Sequence, residues 1–272
     1  MPRSRQSRWN RTLQKGNMAL NTALLGSDNV RARLQTLASS SSANSLAAGL
    51  RRKRFGLFLD LILTLGRSPL TILDVGGREE FWEVVGFTDT PHRIILLNLF
   101  APPVRHPNFT SMVGDARRLE GFEDRSVDVV FSNSVIEHLG TYADQQRMAA
   151  EVRRVGKTYF VQTPSYFFPI EPHFLCPFFH WLPFEARLQL IRRFSLGNIT
   201  RKPSRELAMQ TLSEFRLLRR AEMRTLFPDA AIHAERLLGL TKSYVAVKQG
   251  SLAAHSGDHR PASSGRLLAE RG

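Results

Sequence analysis

The sequence predicts an α/β fold in which a mainly parallel sheet is covered by helices on both faces. Short apolar segments typical of strands alternate with segments of helical periodicity between residues 46 and 248. The strand segments are apolar almost throughout, which is typical of strands buried on both faces. The chain has 272 residues, 42% of them hydrophobic, which is enough for one substantial core.

The elements follow from periodicity and from chain breakers. A first helix is predicted over 46–65, where apolar residues recur at three- and four-residue spacing before Gly66. Further helices are predicted to begin near 78 and to span 144–155 and 212–226, the last with Ser213 as a candidate N-cap. Strands are predicted at 71–75, 93–99, 109–113, 127–132, 158–163, 231–238 and 243–247.

The positive charge is concentrated at one end of the chain. Residues 1–59 hold 11 basic residues and the single acid Asp28, so most of the net charge of +14 lies there. We predict a basic flexible arm over 1–45, an ordered domain over 46–248 and a disordered polar tail over 249–272. Four roles for the arm stay open: a solvated extension, contact with nucleic acid, contact with an anionic membrane surface, or an organellar transit peptide.

Cysteine and histidine usage excludes some classes of protein. Cys176 is the only cysteine, so an internal disulfide framework is excluded and a cytoplasmic location is the expectation. No apolar run approaches the ~18 residues of a membrane span, although peripheral membrane contact stays open. The eight histidines show no ligand spacing along the chain, so no metal is expected.

Polar residues follow four successive predicted strands. Asp74-Val75-Gly76-Gly77 ends the first, Asn98 ends the second, Gly114-Asp115-Ala116 follows the third, and Ser132 and Asn133 end the fourth. Ligands of open α/β sheets bind beyond the carboxyl ends of the strands. A glycine there also lets the backbone approach a ligand closely. These segments therefore predict one binding crevice, although Gly-Gly after a strand is by itself an ordinary turn signal.

Residues 70–165 resemble the class I S-adenosylmethionine-dependent methyltransferases, in particular the type 11 methyltransferase domain group. The resemblance rests on the segments 72–77, 114–116 and 127–139, with weaker similarity at 168–173, 226–230 and 235–243. It implies a Rossmann-like sheet of seven strands, mainly parallel with an antiparallel last strand and helices on both faces. It also makes the ordered domain at 46–248 a methyltransferase domain.

The resemblance implies S-adenosyl-L-methionine as cofactor and assigns roles at the strand ends. The implied cofactor-binding residues are Asp74, Val75, Gly76 and Gly77 at the methionine end, Asn98 and Leu99 at the ribose, Asp115 and Ala116 at the adenine, and Ser132 and Asn133 under the sulfonium. Two positions depart from the family pattern: Arg78 stands where a glycine is usual, and Asn98 stands where an acid is usual.

Three residues beyond the cofactor motifs are candidates for the chemistry. His138 follows the fourth strand and is a candidate general base, with a structural role as the alternative. Glu171 and His173 lie in a proline-punctuated loop after the fifth strand and are candidate acceptor contacts, with bracing of the loop as the alternative. The aromatic, proline-rich segment at about 164–200 is predicted as a lid, or else as a small second core.

The predicted function is methyl transfer to a small-molecule acceptor, with a lipid-linked or cell-envelope compound as the hypothesis. An RNA methyltransferase that uses the basic arm is one alternative, and a non-catalytic binding protein with the same fold is another. A nicotinamide oxidoreductase is disfavoured because Gly-x-Gly-x-x-Gly does not follow the first strand.

Overall fold

The computed structural model describes residues 46–66 and 68–249. The predicted arm at 1–45 lies outside this range, and so does all of the predicted tail except residue 249. Within it, no helix is long and apolar enough to cross a membrane.

Seven strands form one sheet in the order β3-β2-β1-β4-β5-β7-β6. Their bounds are β1 Thr71–Val75, β2 Arg93–Asn98, β3 Phe109–Val113, β4 Val127–Asn133, β5 Gly156–Pro164, β6 Ala231–Leu237 and β7 Leu240–Lys248. Strands β1 to β5 pair in parallel, while β7 pairs antiparallel with β5 and with β6. The predicted fold class is therefore confirmed. Because the strand order reverses between β1 and β4, a crevice is expected at their carboxyl ends.

Six helices and two 3₁₀ turns accompany the sheet in the described part of the chain. The helices are α1 Leu46–Thr64, α2 Glu79–Val84, α3 Tyr142–Val155, α4 Phe184–Arg193, α5 Arg205–Ser213 and α6 Arg220–Leu226, and the turns are Ile136–Leu139 and Phe179–Trp181. Helix α3 begins after Thr141, whose hydroxyl oxygen accepts a hydrogen bond from the Asp144 backbone N–H.

The prediction of one helix over 212–226, N-capped by Ser213, is wrong. Helix α5 ends at Ser213, and α6 begins only at Arg220. The intervening backbone pairs with other segments: the Arg216 N–H donates to the Glu137 carbonyl at 2.8 Å, and Leu218 forms a parallel bridge with Ser165. These long-range hydrogen bonds replace the ones a continuous helix would make, which local periodicity does not reveal.

Each face of the sheet has its own apolar core. Helices α1 and α2 cover one face, where Phe58 and Trp82 are fully buried, and α3 and α6 cover the other, where Met148 and Met223 are fully buried. A third cluster joins the loop after β5 to α4 and α5; its buried members are Phe174, Phe179, Leu188, Ile191, Leu196, Ala208 and Leu212. The aromatic, proline-rich segment thus contributes to a small core of its own.

Candidate active site

Backbone and side-chain hydrogen bonds join the loops that follow β1, β2 and β3. The Gly76 N–H donates to the Leu97 carbonyl at 2.7 Å, and the Gly114 N–H donates to the Asn98 carbonyl at 2.8 Å. The Asn98 side-chain amide also donates to the Gly77 carbonyl at 2.8 Å. The predicted segments therefore adjoin at one edge of the sheet.

Two glycines give the loop after β1 its shape. Gly76 has φ +79°, a conformation that side chains disfavour, and a Cβ there would lie 2.5 Å from Val135 Cγ2. At Gly77 a Cβ would coincide with the carboxylate of Asp74. The loop therefore presents bare backbone beside the end of β4, which is the surface that a closely approaching ligand requires.

Asp74 lies beneath this loop and is 1% exposed. Its Oδ2 accepts a hydrogen bond from Trp82 Nε1 at 2.7 Å, whereas its buried Oδ1 has no partner among the described residues. Burial raises the pKa of Asp74 to about 7, although the Trp82 hydrogen bond opposes the shift. The geometry places Asp74 as a support of the glycine loop, and its contact with the cofactor stays a prediction.

Asp74 should make the apoprotein less stable as the pH rises. Its pKa is near 3.8 when unfolded and about 7 when folded, so the folded state holds the proton more tightly between these values. This contribution to stability is fully present below pH 4 and is lost as the pH rises through 7. Each pH unit between the two pKa values is worth about 1.4 kcal/mol, so the loss is on the order of 4 kcal/mol.

The variant Asp74→Asn keeps an acceptor for Trp82 but does not ionise. We expect its urea midpoint to exceed that of the wild type at pH 8 and to differ little at pH 4. If the stabilities of the wild type and the variant change by the same amount between the two pH values, the assignment of Asp74 as a buried titrating carboxyl group is contradicted.

The hydrogen bonding of the Asn98 side chain gives a reason why an amide stands where the family usually has an acid. Its amide donates to Gly77, which a carboxylate cannot do, and its Oδ1 makes no hydrogen bond within the described residues. The side chain thus holds the loop and keeps one acceptor oxygen, whose contact with a ribose hydroxyl stays a prediction. Next to it, Leu99 is 76% exposed, and the guanidinium of Arg78 lies 5.7 Å from the ring centroid of Phe100.

Asp115 lies two residues after β3, and a neighbouring side chain holds its carboxylate. Its carboxylate accepts hydrogen bonds of 2.6–3.0 Å from the side chain of Arg117, whose charge and hydrogen bonds lower the Asp115 pKa. The carboxylate is therefore ionised near neutral pH and offers only acceptor atoms, and its contact with an adenine amine stays a prediction. Ala116 is half-buried beside it, and Val113 is exposed.

The two residues that end β4 have different surroundings. Ser132 is fully buried, and its hydroxyl has no partner among the described residues. Asn133 Oδ1 accepts a 2.6 Å hydrogen bond from Nη1 of Arg54, and Arg54 also forms a buried ion pair with Glu235 at 2.8 Å. Sequence reasoning missed Arg54 and Glu235, because no local pattern joins residues 181 positions apart.

His138, His173 and Glu171 form one hydrogen-bonded cluster. The two Nε2 atoms of the histidines are 3.1 Å apart, and His173 Nδ1 lies 2.5 Å from Glu171 Oε1. Glu171 is buried, and its Oε2 accepts from the backbone N–H groups of His173 and Phe174. The structure thus brings together the three candidate residues, which the sequence placed on two loops. It also joins two histidines whose spacing along the chain suggested no common site.

Glu137 adds a buried carboxyl to this cluster. It is fully buried, its Oε2 accepts from the Thr163 hydroxyl at 3.0 Å, and its Oε1 has no partner among the described residues. Burial raises the pKa of Glu137 to about 7. Burial and the neighbouring His173 lower the pKa of His138 to about 4; burial would likewise lower the pKa of His173, but Glu171 raises it on balance.

A cavity of about 630 Å³ opens beyond the cluster. Its lining includes Glu171 and Phe215, and the Phe215 ring lies 4.3 Å from the ring of His173 and 5.1 Å from that of His138. Three arginines also line it: Arg187, Arg216 and Arg219.

A continuous path of contacts joins the glycine loop to this cavity. Val135 faces Gly76, and its backbone carbonyl accepts the N–H of His138 at 2.9 Å. His138 contacts His173, and the partner of His173, Glu171, forms part of the cavity wall. The histidine pair therefore lies between the two candidate sites.

The strand order, with a glycine loop after β1 and polar residues at the ends of β2, β3 and β4, matches the Rossmann-like fold of class I methyltransferases. Residues 72–159 match the family model described as a methyltransferase domain, and this segment belongs to that family. The chain thus contains a methyltransferase domain. A search of curated proteins finds no match.

Solved structures of other methyltransferases are similar in outline. A SAM-dependent methyltransferase from Aquifex aeolicus is 10% identical, with a TM-score of 0.43 over 79% of this chain and 96% of its own. Magnesium protoporphyrin IX methyltransferase from Synechocystis PCC 6803, solved with bound SAM, is 10% identical, with a TM-score of 0.45 over 86% of this chain and 97% of its own.

Proposed function

We propose that this protein transfers the methyl group of S-adenosyl-L-methionine to a small anionic acceptor bound in the 630 Å³ cavity. The observation that carries the proposal is the path of contacts from Gly76 through Val135, His138 and His173 to the cavity wall. Methyl transfer from a sulfonium is an in-line displacement, so its main requirement is alignment of donor and acceptor.

The cofactor side of the site offers the groups that its ligand needs. The bare backbone of Gly76 and Gly77 would lie along the methionine portion, the Asn98 amide oxygen would accept from the ribose, and the Asp115 carboxylate would accept from the adenine amine. The exposed side chain of Leu99 offers an apolar surface beside the base. When bound, S-adenosyl-L-methionine supplies an electrophilic methyl group. The residues of this chain would fix its direction.

The charges in the cavity favour an anionic acceptor. Arg216 is neutralised by Glu222 at 2.5 Å, but Arg187 has no carboxylate partner among the described residues. The Arg187 Nε is also buried without a hydrogen bond there. The guanidinium of Arg219 lies 4.7 Å from the ring centroid of Tyr166 and forms no described ion pair. Two guanidinium groups are therefore available for a carboxylate or phosphate on the acceptor.

The surface of the aromatic segment supports an acceptor with an apolar portion. Phe167, Phe178, Trp181 and Phe184 are each more than two-fifths exposed, while their neighbour Phe179 is buried. Exposed aromatic side chains next to basic ones suit the interface of an anionic membrane. A lipid-linked or cell-envelope acceptor agrees with this arrangement, and the predicted lid role of 164–200 belongs to the same proposal. The predicted role of His138 as a base stays a prediction.

The proposal is tested in two stages with the full chain. Calorimetry should first show binding of S-adenosylmethionine; absence of binding would make the protein a non-catalytic relative. Methyl transfer is then measured with paired acceptors that differ only in a free or esterified carboxylate or phosphate. We expect turnover of the anionic member. Turnover of RNA with no small-molecule methylation would contradict the proposed acceptor class.

Arg187→Gln should raise the KM for an anionic acceptor by roughly 10- to 100-fold, since a charge-assisted hydrogen bond is worth about 1.5–3 kcal/mol. The KM for the esterified acceptor should change little. Arg193→Gln is the matched control, because Arg193 lies exposed on the same helix α4. If both variants change the KM of both acceptors equally, Arg187 does not bind the charged group of the acceptor.

A further inference from the structure

We propose that Glu137, His138 and His173 form a binding site for a divalent transition-metal ion. One ligand atom of each residue lies within 4.8 Å of the other two, and the two histidine Nε2 atoms are 3.1 Å apart with ring planes at 86°. This spacing brings two nitrogens from different loops to one point. The inference goes beyond the proposed function, since metal binding can be measured without methyl transfer.

The surroundings of His173 hold its ring in one orientation, which a metal-binding histidine requires. Its Nδ1 faces Glu171 at 2.5 Å, and Glu171 is itself anchored by two backbone N–H groups. A proton on Nδ1 leaves the Nε2 lone pair directed at His138. A carboxylate that holds the far nitrogen of an imidazole is the usual outer-shell partner of a metal-binding histidine.

Glu137 supplies a second, independent observation. Its Oε2 is held by Thr163, while its Oε1 is buried without a hydrogen bond among the described residues. A buried carboxylate oxygen without a partner is unfavourable, and a cation would satisfy it. A modest rotation of the side chain would complete a set of two imidazoles and one carboxylate.

The donor set decides the kind of ion. Imidazole nitrogens suit zinc, copper, iron and nickel, whereas magnesium, calcium and manganese prefer oxygen ligands. Three protein ligands leave coordination positions open, as in metal sites that also hold water or substrate. His138 would then act as a ligand rather than as a base, and an open position would face the region between the cofactor loop and the cavity.

A second cluster within the described residues provides the control. Glu79, Glu83 and His106 are also grouped closely, but both Glu79 oxygens already accept the backbone N–H of Arg105, and Oε1 also contacts His106 Nδ1 at 2.8 Å. Glu83 pairs with the Arg105 guanidinium at 2.7 Å. These groups clamp α2 to the loop after β2, and we expect no metal there.

The test uses untagged full-length protein that has been stripped with a chelator and titrated with Co²⁺, then with Zn²⁺ and Mg²⁺. We expect one Co²⁺ per chain with visible d–d absorption, displacement by Zn²⁺ and little effect of Mg²⁺. His173→Ala and Glu137→Gln should weaken binding by at least roughly 100-fold, and Glu171→Gln by roughly 10- to 100-fold, the range for loss of an outer-shell partner. His106→Ala should bind as the wild type does.

If the cluster variants do not fold, X-ray absorption spectroscopy of the zinc-loaded wild type still tests the proposal. We expect its spectrum to show two imidazole ligands. Failure of the wild type to bind either transition metal would overturn the proposal, as would binding that is lost in His106→Ala but kept in His173→Ala. Because S-adenosylmethionine binding is measured separately, loss of the metal site leaves the proposed function standing.

Discussion

Gly77→Ala is expected to reduce the affinity for S-adenosylmethionine by roughly 100-fold, or about 2.7 kcal/mol. A Cβ at this position would coincide with the carboxylate of Asp74, which Trp82 holds from below. The loop must therefore move outward, into the space that the cofactor requires. Overpacking of this kind typically costs about 1–3 kcal/mol, so a lower melting temperature should accompany the lost affinity.

Calorimetry with S-adenosylhomocysteine on folded protein measures this effect. Gly56→Ala is the matched control, because Gly56 lies within α1 and a Cβ there meets nothing within 4 Å. Alanine is the better helix former, so the control should be as stable as the wild type or more stable by about 0.5–1 kcal/mol. Wild-type affinity in Gly77→Ala would mean that the cofactor does not approach this backbone.

The sheet could be predicted from sequence because its signals are local. The segment 127–132 is largely apolar, and it forms the buried strand β4 with one further residue, Asn133. The 109–113 strand agrees at both ends with β3. Since parallel strands end at the same edge, placing Gly76, Asn98 and Gly114 together needed no knowledge of side-chain contacts.

The centre of the candidate site could not be predicted in the same way. His138 and His173 are separated by 35 residues, and their pairing depends on how two loops pack around Phe215. Residue spacing along the chain therefore did not indicate that the two histidines lie together. The two departures at Arg78 and Asn98 were visible, but only the structure shows that Asn98 donates to the glycine loop.

Glu235→Gln is expected to destabilise the fold by about 3–5 kcal/mol, the usual result of removing one partner of a buried ion pair. Arg54 and Glu235 are 8% and 9% exposed, and two hydrogen bonds of 2.8 and 2.9 Å join them. In the variant, the Arg54 guanidinium would stay buried with only neutral partners, namely Asn133 and the amide introduced by the substitution. Urea unfolding at neutral pH measures the loss, and a change below about 1 kcal/mol, the value of a surface pair, would contradict it.

A double-mutant cycle separates the ion pair from the packing around it. Arg54→Met also leaves a buried charge, so it should be as harmful as Glu235→Gln, whereas the double variant leaves none and should lose much less than the two single losses combined. The cycle also bears on the cofactor site. Arg54 holds Asn133 at the end of β4, so Arg54→Met should weaken S-adenosylhomocysteine binding in the protein that remains folded. An additive cycle with unchanged affinity would mean that neither stability nor the position of Asn133 depends on this contact.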